Sequence, residues 1–500
     1  MSLSRFSGVI LHPSSLPGVD GIGDLGPDAY RWIDFLAESG CTLWQVLPLG
    51  PTGYGDSPYQ CFSAFAGNPY LISPALLLDQ KLLSPKDLAD RPTFPQERVD
   101  FGAVIPWKTL VLNRAFGHFK KTKNQKLLSR YERFCEEEHH WLDDFALFMA
   151  IKENLGGGSW GNWPIPLRSR EPQALAQFAA EHTEEVTQQK FRQYLFYEQW
   201  EAIRSYARQK NIQIIGDIPI FVAYDSADAW SHPELFFLDK EGQPTCVAGV
   251  PPDYFSPTGQ LWGNPLYKWN VHKKTGYAWW LERIRAVLNL VDYIRLDHFR
   301  GFAGYWEIPA GKPTAEIGRW VKGPGKDFLR ALQKNFASLP LLAEDLGEIT
   351  PDVVELRDSF GLPGMKILQF GFASTPDDPF LPHNYPRNCV AYTGTHDNDT
   401  ARGWYEAAAE KERDLCRRYL GRSGDDISWD MIRTVWSSTA AFALAPLQDF
   451  LSLGTSARMN FPGKLGGNWF WRYTSDQLSD ELLTRIREMN FLYSRTRKTD

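Results

Sequence analysis

Short apolar strand candidates recur along this chain, most of them separated by stretches long enough for a helix, and that rhythm limits the architectures open to it. Gly8-Val9-Ile10-Leu11-His12 reads as a short buried strand. A helix follows from Pro27, with Ala29, Trp32, Ile33 and Leu36 on one face and Gly40 at its end. The next strand, Leu43-Trp44-Gln45-Val46-Leu47, comes directly after it. A strand–helix–strand unit argues for parallel α/β architecture, because parallel neighbours need a crossover of about that size. Further candidates are Ile212–Ile215, Val291–Ile294, Leu339–Leu342, Met365–Leu368 and Cys389–Tyr392, which makes seven strands, with an eighth expected but not located.

Five hundred residues fit either several domains or one α/β barrel with insertions. The reading adopted is one catalytic barrel over 1–500. The roughly 160 residues between Leu49 and Ile212 exceed any ordinary crossover, so something is inserted there. Trp141, Phe145, Phe148 and Ile151 fall near helical spacing, as do Phe191, Tyr194, Leu195 and Tyr197 to Trp200. A mostly helical subdomain over about 75–205 is expected. A second insertion, about 224–275, is rich in Pro, Gly, Asp and aromatics and reads as long surface loops near the site.

Net charge is −6, without a long like-charge block, so nothing favours nucleic acid or an anionic membrane. A neutral ligand fits better. Thirty-one Phe, 20 Tyr and 19 Trp, beside six Met, make flat apolar ligand faces plausible. The six cysteines form no Cys-x-x-Cys or other clustered spacing, which fits a reducing compartment. With no secretory core or membrane-length apolar run, the expected location is the cytoplasm. Gly21-Ile22-Gly23-Asp24-Leu25-Gly26 matches G-x-G-x-x-G, but the loop before it is too long and the next strand ends without an acid. It reads as a glycine-bent loop. His139-His140 reads as a solvated helix face.

The informative pattern is acidic residues at the carboxyl ends of successive strands: Asp217, Asp297, Glu344 and Asp397. Any one of them reads equally well as a helix cap or a turn. In a closed parallel barrel, however, all strand ends open on one face, and the four would converge in one pocket. Crowded carboxylates divide naturally into one that stays ionised and one that holds its proton. Arg295 and Asp297, two apart on a strand, share a face, so the guanidinium is expected to keep Asp297 anionic as a nucleophile. Glu344 follows Leu341-Leu342-Ala343 and sits near other negative charge; both effects raise a carboxyl pKa and suit a general acid/base. Asp397, beside His396, is expected to grip substrate hydroxyls and help distort the ring toward an oxocarbenium-like geometry. The bland reading is a barrel-interior ion pair between Arg295 and Asp297.

These residues lie in segments that closely resemble the amylomaltases, bacterial 4-α-glucanotransferases of the α-amylase clan. The segments are Leu47-Pro-Leu-Gly-Pro-Thr-Gly-Tyr-Gly-Asp-Ser-Pro-Tyr59, Gly216-Asp-Ile-Pro-Ile-Phe-Val222, Ala248-Gly-Val-Pro-Pro-Asp-Tyr-Phe255, Arg295-Leu-Asp-His-Phe-Arg-Gly301, Ala343-Glu-Asp-Leu-Gly347 and Thr393-Gly-Thr-His-Asp-Asn-Asp-Thr400. The resemblance covers nearly the whole chain. It implies a (β/α)8 TIM barrel with helical inserts and a retaining mechanism, with Asp297 as nucleophile, Glu344 as acid/base and Asp397 as third carboxylate. It also implies that Asp217, Arg295, His298 and His396 belong to the donor-sugar pocket, and that Ser57, Tyr59 and Asn468 lie near bound glucan. The partners implied are an α-1,4-glucan donor and a glucose or glucan acceptor, with no cofactor. The 75–205 insert carries no matching motif, and Cys61 stands where a serine is expected.

Gly249-Val250-Pro251-Pro252-Asp253-Tyr254-Phe255 combines a hinge, stiff prolines and two apolar faces, so Tyr254 and Phe255 are read as a lid over the sugar, against the alternative of a rigid surface loop. Two rival functions remain at this level. One is a hydrolase using the same carboxylates with water as acceptor; the other is a catalytically silent glucan-binding protein. Because no metal-ligand spacing occurs, activity is expected to survive exhaustive chelation. Loss of activity on chelation, restored by calcium, would contradict this reading.

Overall fold

The computed structural model describes residues 5–496 apart from 253–255 and 465. Twelve strands occur among them: β1 (Phe6–Ile10), β2 (Leu43–Gln45), β3 (Gln213–Pro219), β4 (Cys246–Val250), β5 (Gln260–Pro265), β6 (Tyr293–Asp297), β7 (Gly304–Pro309), β8 (Arg319–Lys322), β9 (Leu341–Ala343), β10 (Gly364–Ile367), β11 (Cys389–Tyr392) and β12 (Phe442–Pro446). Eight of them close into a parallel barrel in the order β1-β12-β11-β10-β9-β6-β3-β2. Short strands of Val, Ile, Leu and Ala suit such a barrel because both of their faces are covered. Ile10, Leu43, Ile215, Leu342, Ile367, Val390 and Leu444 belong to one buried cluster of barrel-strand residues. Tyr392 is enclosed among them and donates its hydroxyl hydrogen to Gln45 Oε1 at 2.9 Å.

The strand that sequence inspection leaves unlocated is β12, whose Phe-Ala-Leu-Ala-Pro is alanine-rich and carries helical rather than strand propensity. It forms because β1 and β11 pair with it on either side and close the barrel.

Between β2 and β3 the chain is mostly helical, with long helices at Phe101–Phe119, Gln125–Glu137, His139–Asn154 and Thr183–Gln209. The last of these runs 27 residues and crosses the 205 boundary. Its first half packs Phe191 against Phe119, ring centroids 4.4 Å apart. Its second half sets Trp200 6.1 Å from Trp44 of β2 and bonds the Trp200 indole to Leu290 O at 2.8 Å. One helix is therefore both part of the insert and the crossover that returns the chain to the barrel.

Over 224–275, where composition suggests long loops, the chain instead forms β4 and β5. They join β7 and β8 in an antiparallel sheet of order β5-β4-β7-β8. Local composition could not reveal this, because β4 pairs with β7, about 60 residues later in sequence. The sheet is thus built from the connections that follow β3 and β6, at the carboxyl end of the barrel. Gly21 has φ +79°, and a Cβ on Gly23 would lie 2.0 Å from Pro13 O, as a glycine-bent loop requires. His139 and His140 are exposed. Among the described residues no helix is long and apolar enough to cross a membrane.

Gly8 pairs with Leu43 across β1 and β2, and a Cβ there would sit 2.4 Å from Leu43 O. Backbone cannot yield as a flexible side chain can. Gly8→Ala is expected to destabilise by about 1–3 kcal/mol, read as a lower denaturant midpoint, while an unchanged midpoint would show that the barrel adjusts freely.

Candidate active site

The site is organised around Arg295, which points from β6 and is 3% exposed. In the β3–β6 register Asp217 lies directly opposite it. Arg295 Nη1 donates to Asp217 Oδ2, and Nη2 donates to Asp297 Oδ1 at 2.9 Å. The Tyr59 hydroxyl adds a third donor, reaching Asp217 Oδ2 at 2.8 Å. Asp217's side chain is fully enclosed, whereas Asp297 and Asp397 leave 26% and 41% of theirs accessible. Of these three carboxyl groups, Asp297 and Asp397 are the ones open to a ligand.

Tyr59 stacks on the His396 ring with centroids 5.2 Å apart, and both rings tilt against Trp469. His396 Nε2 lies 3.3 Å from Asp397 Oδ2. Asn460 Nδ2 donates to Asp397 Oδ1 at 2.6 Å, and Arg458 donates to the Asp397 carbonyl at 2.6 Å.

Glu344 accepts from the His298 N–H at 2.7 Å and from the Leu346 N–H at 3.1 Å. His298 has φ +50°, a left-handed conformation that is strained for a residue with a Cβ. That conformation accompanies the backbone bond to Glu344. Trp262, on β5, meets the His298 ring edge-on at 4.9 Å.

Burial dominates the protonation pattern. It pushes Glu344 up to about 8, with Arg295 pulling the other way and Asp297 adding to the rise. It also pushes Asp297 up to about 6, although Arg295 opposes that shift. The guanidinium was expected to hold Asp297 low; its effect is present, but desolvation together with Asp217 and Asp397 outweighs it. Burial would raise Asp397 too, but His396 and the Asn460 hydrogen bond prevail and hold it well below the usual carboxylate range. Burial, helped by Arg300, takes His298 down to about 4. At neutral pH the pocket therefore presents a protonated Glu344, ionised Asp297 and Asp397, and a neutral His298.

The structure brings Asp217, Arg295, Asp297, Asp397, His396 and Tyr59 together, with Glu344 and His298 joined to one another by a hydrogen bond. Ser57 touches this group through its Oγ, which accepts from the Tyr59 N–H at 3.2 Å. Asn468 spends both ends of its amide on its own loop, accepting from Phe461 N–H and donating to Lys464 O, each at 2.9 Å. Tyr254 and Phe255 lie outside the described residues. Cys61 donates to Pro58 O at 2.9 Å as a serine would, and burial pushes its thiol up to about 12. Arg458, Asn460, Trp262 and Trp469 escaped sequence inspection. Only Trp469 carried a signal, in the aromatic run Trp469-Phe470-Trp471.

Replacing Arg295 by Met leaves the enclosed Asp217 and the half-buried Asp297 without their cation, a loss expected to cost about 3–5 kcal/mol near neutrality. Asp297 binds its proton more tightly folded than unfolded, so lowering the pH through about 6 favours the fold. This gain is larger once the guanidinium is gone. The stability deficit of Arg295→Met against wild type should therefore narrow on acidification in denaturant titrations, and a deficit independent of pH would contradict the assignment.

A family model described as 4-alpha-glucanotransferase matches residues 11–478. The 4-alpha-glucanotransferase of Thermus thermophilus is 51% identical over 497 residues, covering 98% of this chain and 99% of that protein. The one from Synechocystis sp. is 49% identical over 495 residues, covering 98% of each. Among solved structures, amylomaltase from Streptococcus agalactiae in complex with acarbose superposes with a TM-score of 0.96 at 40% identity, covering 99% of this chain and 100% of that one. With a barrel, a carboxylate pocket and near-complete alignments in agreement, the chain belongs to the 4-alpha-glucanotransferase family.

Proposed function

We propose that the chain moves a segment of α-1,4-glucan from a donor to the 4-hydroxyl of glucose or another glucan, by a retaining double displacement. The observation that carries this reading is the pair of carboxyl groups at the barrel's carboxyl end, Asp297 held by Arg295 at 2.9 Å and Glu344 held by the His298 and Leu346 N–H groups, with burial pushing them up to about 6 and about 8. The ionised Asp297 attacks the anomeric carbon while Glu344 gives its proton to the departing O4, leaving a glycosyl ester on Asp297 and a carboxylate on Glu344. The acceptor's 4-hydroxyl then passes its proton to Glu344 as its oxygen bonds the anomeric carbon, and Asp297 departs as carboxylate. No cofactor enters either step.

The other residues fit binding of the donor sugar. His298 Nε2 and His396 Nδ1 are buried polar atoms without hydrogen-bond partners among the described residues, as expected of groups that await sugar hydroxyls. Asp397, held ionised, is suited to accept from two hydroxyls of a ring bent toward an oxocarbenium-like shape. Tyr59, Trp262 and Trp469 supply flat apolar faces. Arg295 and Asp217 hold this arrangement from behind. The six free cysteines fit the reducing cytoplasm as its location.

Incubation with maltotriose should yield glucose and longer oligosaccharides while the total of reducing ends stays constant. A rise in reducing ends equal to the bonds cleaved would make the chain a hydrolase. Asp297→Asn should abolish transfer, and measurable turnover by that variant would remove Asp297 from the nucleophile's place.

The pH profile follows from the same pair. Below about 6 Asp297 takes up a proton and can no longer attack, and above about 8 Glu344 loses the proton it must donate. A bell with limbs near those two values is expected, each limb belonging to the interacting pair. In Glu344→Gln the alkaline limb should vanish for substrates with good leaving groups; its persistence would assign that limb elsewhere.

A further inference from the structure

Asp449 is a fully enclosed carboxylate that the transfer chemistry does not use. It lies in the helical turn Leu447–Phe450 that directly follows β12. Its Oδ2 accepts from Thr393 Oγ1 at 2.5 Å, and its Oδ1 accepts from the Ala401 N–H at 2.7 Å. Both donors are neutral, and among the described residues no cation accompanies the buried carboxylate as such groups usually require. Burial accordingly pushes it up to about 6, and the two hydrogen bonds oppose the shift.

The position of the two donors gives the burial a purpose. Thr393 is the residue after β11, and Ala401 opens the helix Ala401–Ala407. Between them runs the loop 394–400, which carries His396 and Asp397. One carboxylate thus reaches from the turn after the neighbouring strand β12 and ties both ends of that loop. Other bonds hold the middle: Gln369 Nε2 to Asp399 O at 2.8 Å, Thr455 Oγ1 to Asp399 Oδ2 at 2.9 Å, and the Asn460 N–H to His396 O at 3.1 Å. These bonds shape the loop's middle, whereas Asp449 sets the span that the loop closes.

We propose that Asp449 is a positioning residue for Asp397, fixing both ends of the loop that presents Asp397 to the sugar ring. The proposal rests on the transfer reading above. Asp397 acts most strongly when the ring is distorted, so a shifted loop weakens the transition state more than the bound ground state. Misplacement of about 1 Å can cost up to about a hundredfold in rate.

Asp449→Ala removes both bonds, and Thr393→Val removes one while keeping the side chain's shape. Disproportionation of maltotriose is measured first with wild type, and absence of transfer there overturns the functional reading itself. Given wild-type transfer, kcat of Asp449→Ala should fall about tenfold to a hundredfold with KM within about twofold, and Thr393→Val should show the same split at smaller size. In an Asp397→Asn background, whose residual rate is followed over long incubations, adding Thr393→Val or Asp449→Ala should change the rate by less than about twofold, because the positioned group is already gone. If Asp449→Ala does not fold, the Thr393→Val pair of measurements decides alone. An unchanged kcat, a rise in KM without a fall in kcat, or an undiminished effect in the Asp397→Asn background would each overturn the proposal.

Discussion

One buried positive charge dictates the layout of the pocket. A guanidinium with 3% exposure inside a barrel is untenable without acceptors, and Arg295 has them on two sides. Asp217 faces it across the strand register and Asp297 stands two residues further along its own strand. Each partner does something different. Asp217 is fully enclosed and shares itself between Arg295 and Tyr59, which makes it an anchor. Asp297 is left partly open, with 26% of its side chain accessible to a ligand. The cation thus compensates two acids with a single group and leaves Glu344 uncompensated enough to keep its proton.

The barrel makes that economy geometrically simple. Parallel strands place every carboxyl end on the same face, so residues remote in sequence arrive as neighbours without any long excursion of the chain. The walls are then raised by the connections. The antiparallel sheet β5-β4-β7-β8 supplies Trp262 against His298, while the segment after β12 supplies Asn460, Arg458 and Trp469 around Asp397. Rigid strands carry the acids, and the longer connections carry the surfaces around them.

What could be read from sequence follows the same division. Asp217, Asp297, Glu344 and Asp397 were legible because each falls at or just after the carboxyl end of a strand candidate, and the Arg295–Asp297 pair because strand residues two apart share a face. Strand β12 was hidden by its alanines, and β4 and β5 by turn-forming residues around a pairing that spans about 60 positions. Asn460 and Arg458 left no mark because a lone amide or guanidinium in a loop has no periodicity to announce it. Asn468 illustrates the converse: the family resemblance put it near bound glucan, but the direction of its amide, turned into its own loop, depends on backbone geometry that no spacing encodes. Likewise, the presence of Arg295 beside Asp297 was evident, while the outcome of its contest with desolvation was not.

The helix Thr183–Gln209 gives the insert a status that its outline conceals. Because the same rod carries Phe191 into the helical subdomain and Trp200 onto β2, the two bodies share one structural member rather than a seam. A shortened version of the protein cannot be obtained by trimming the subdomain at its edge: any cut along that rod strips the barrel of a crossover or leaves its aromatic flank bare to water. Helices added or lost between β2 and the start of this rod are a different matter, since they alter what is mounted on it and not the mount.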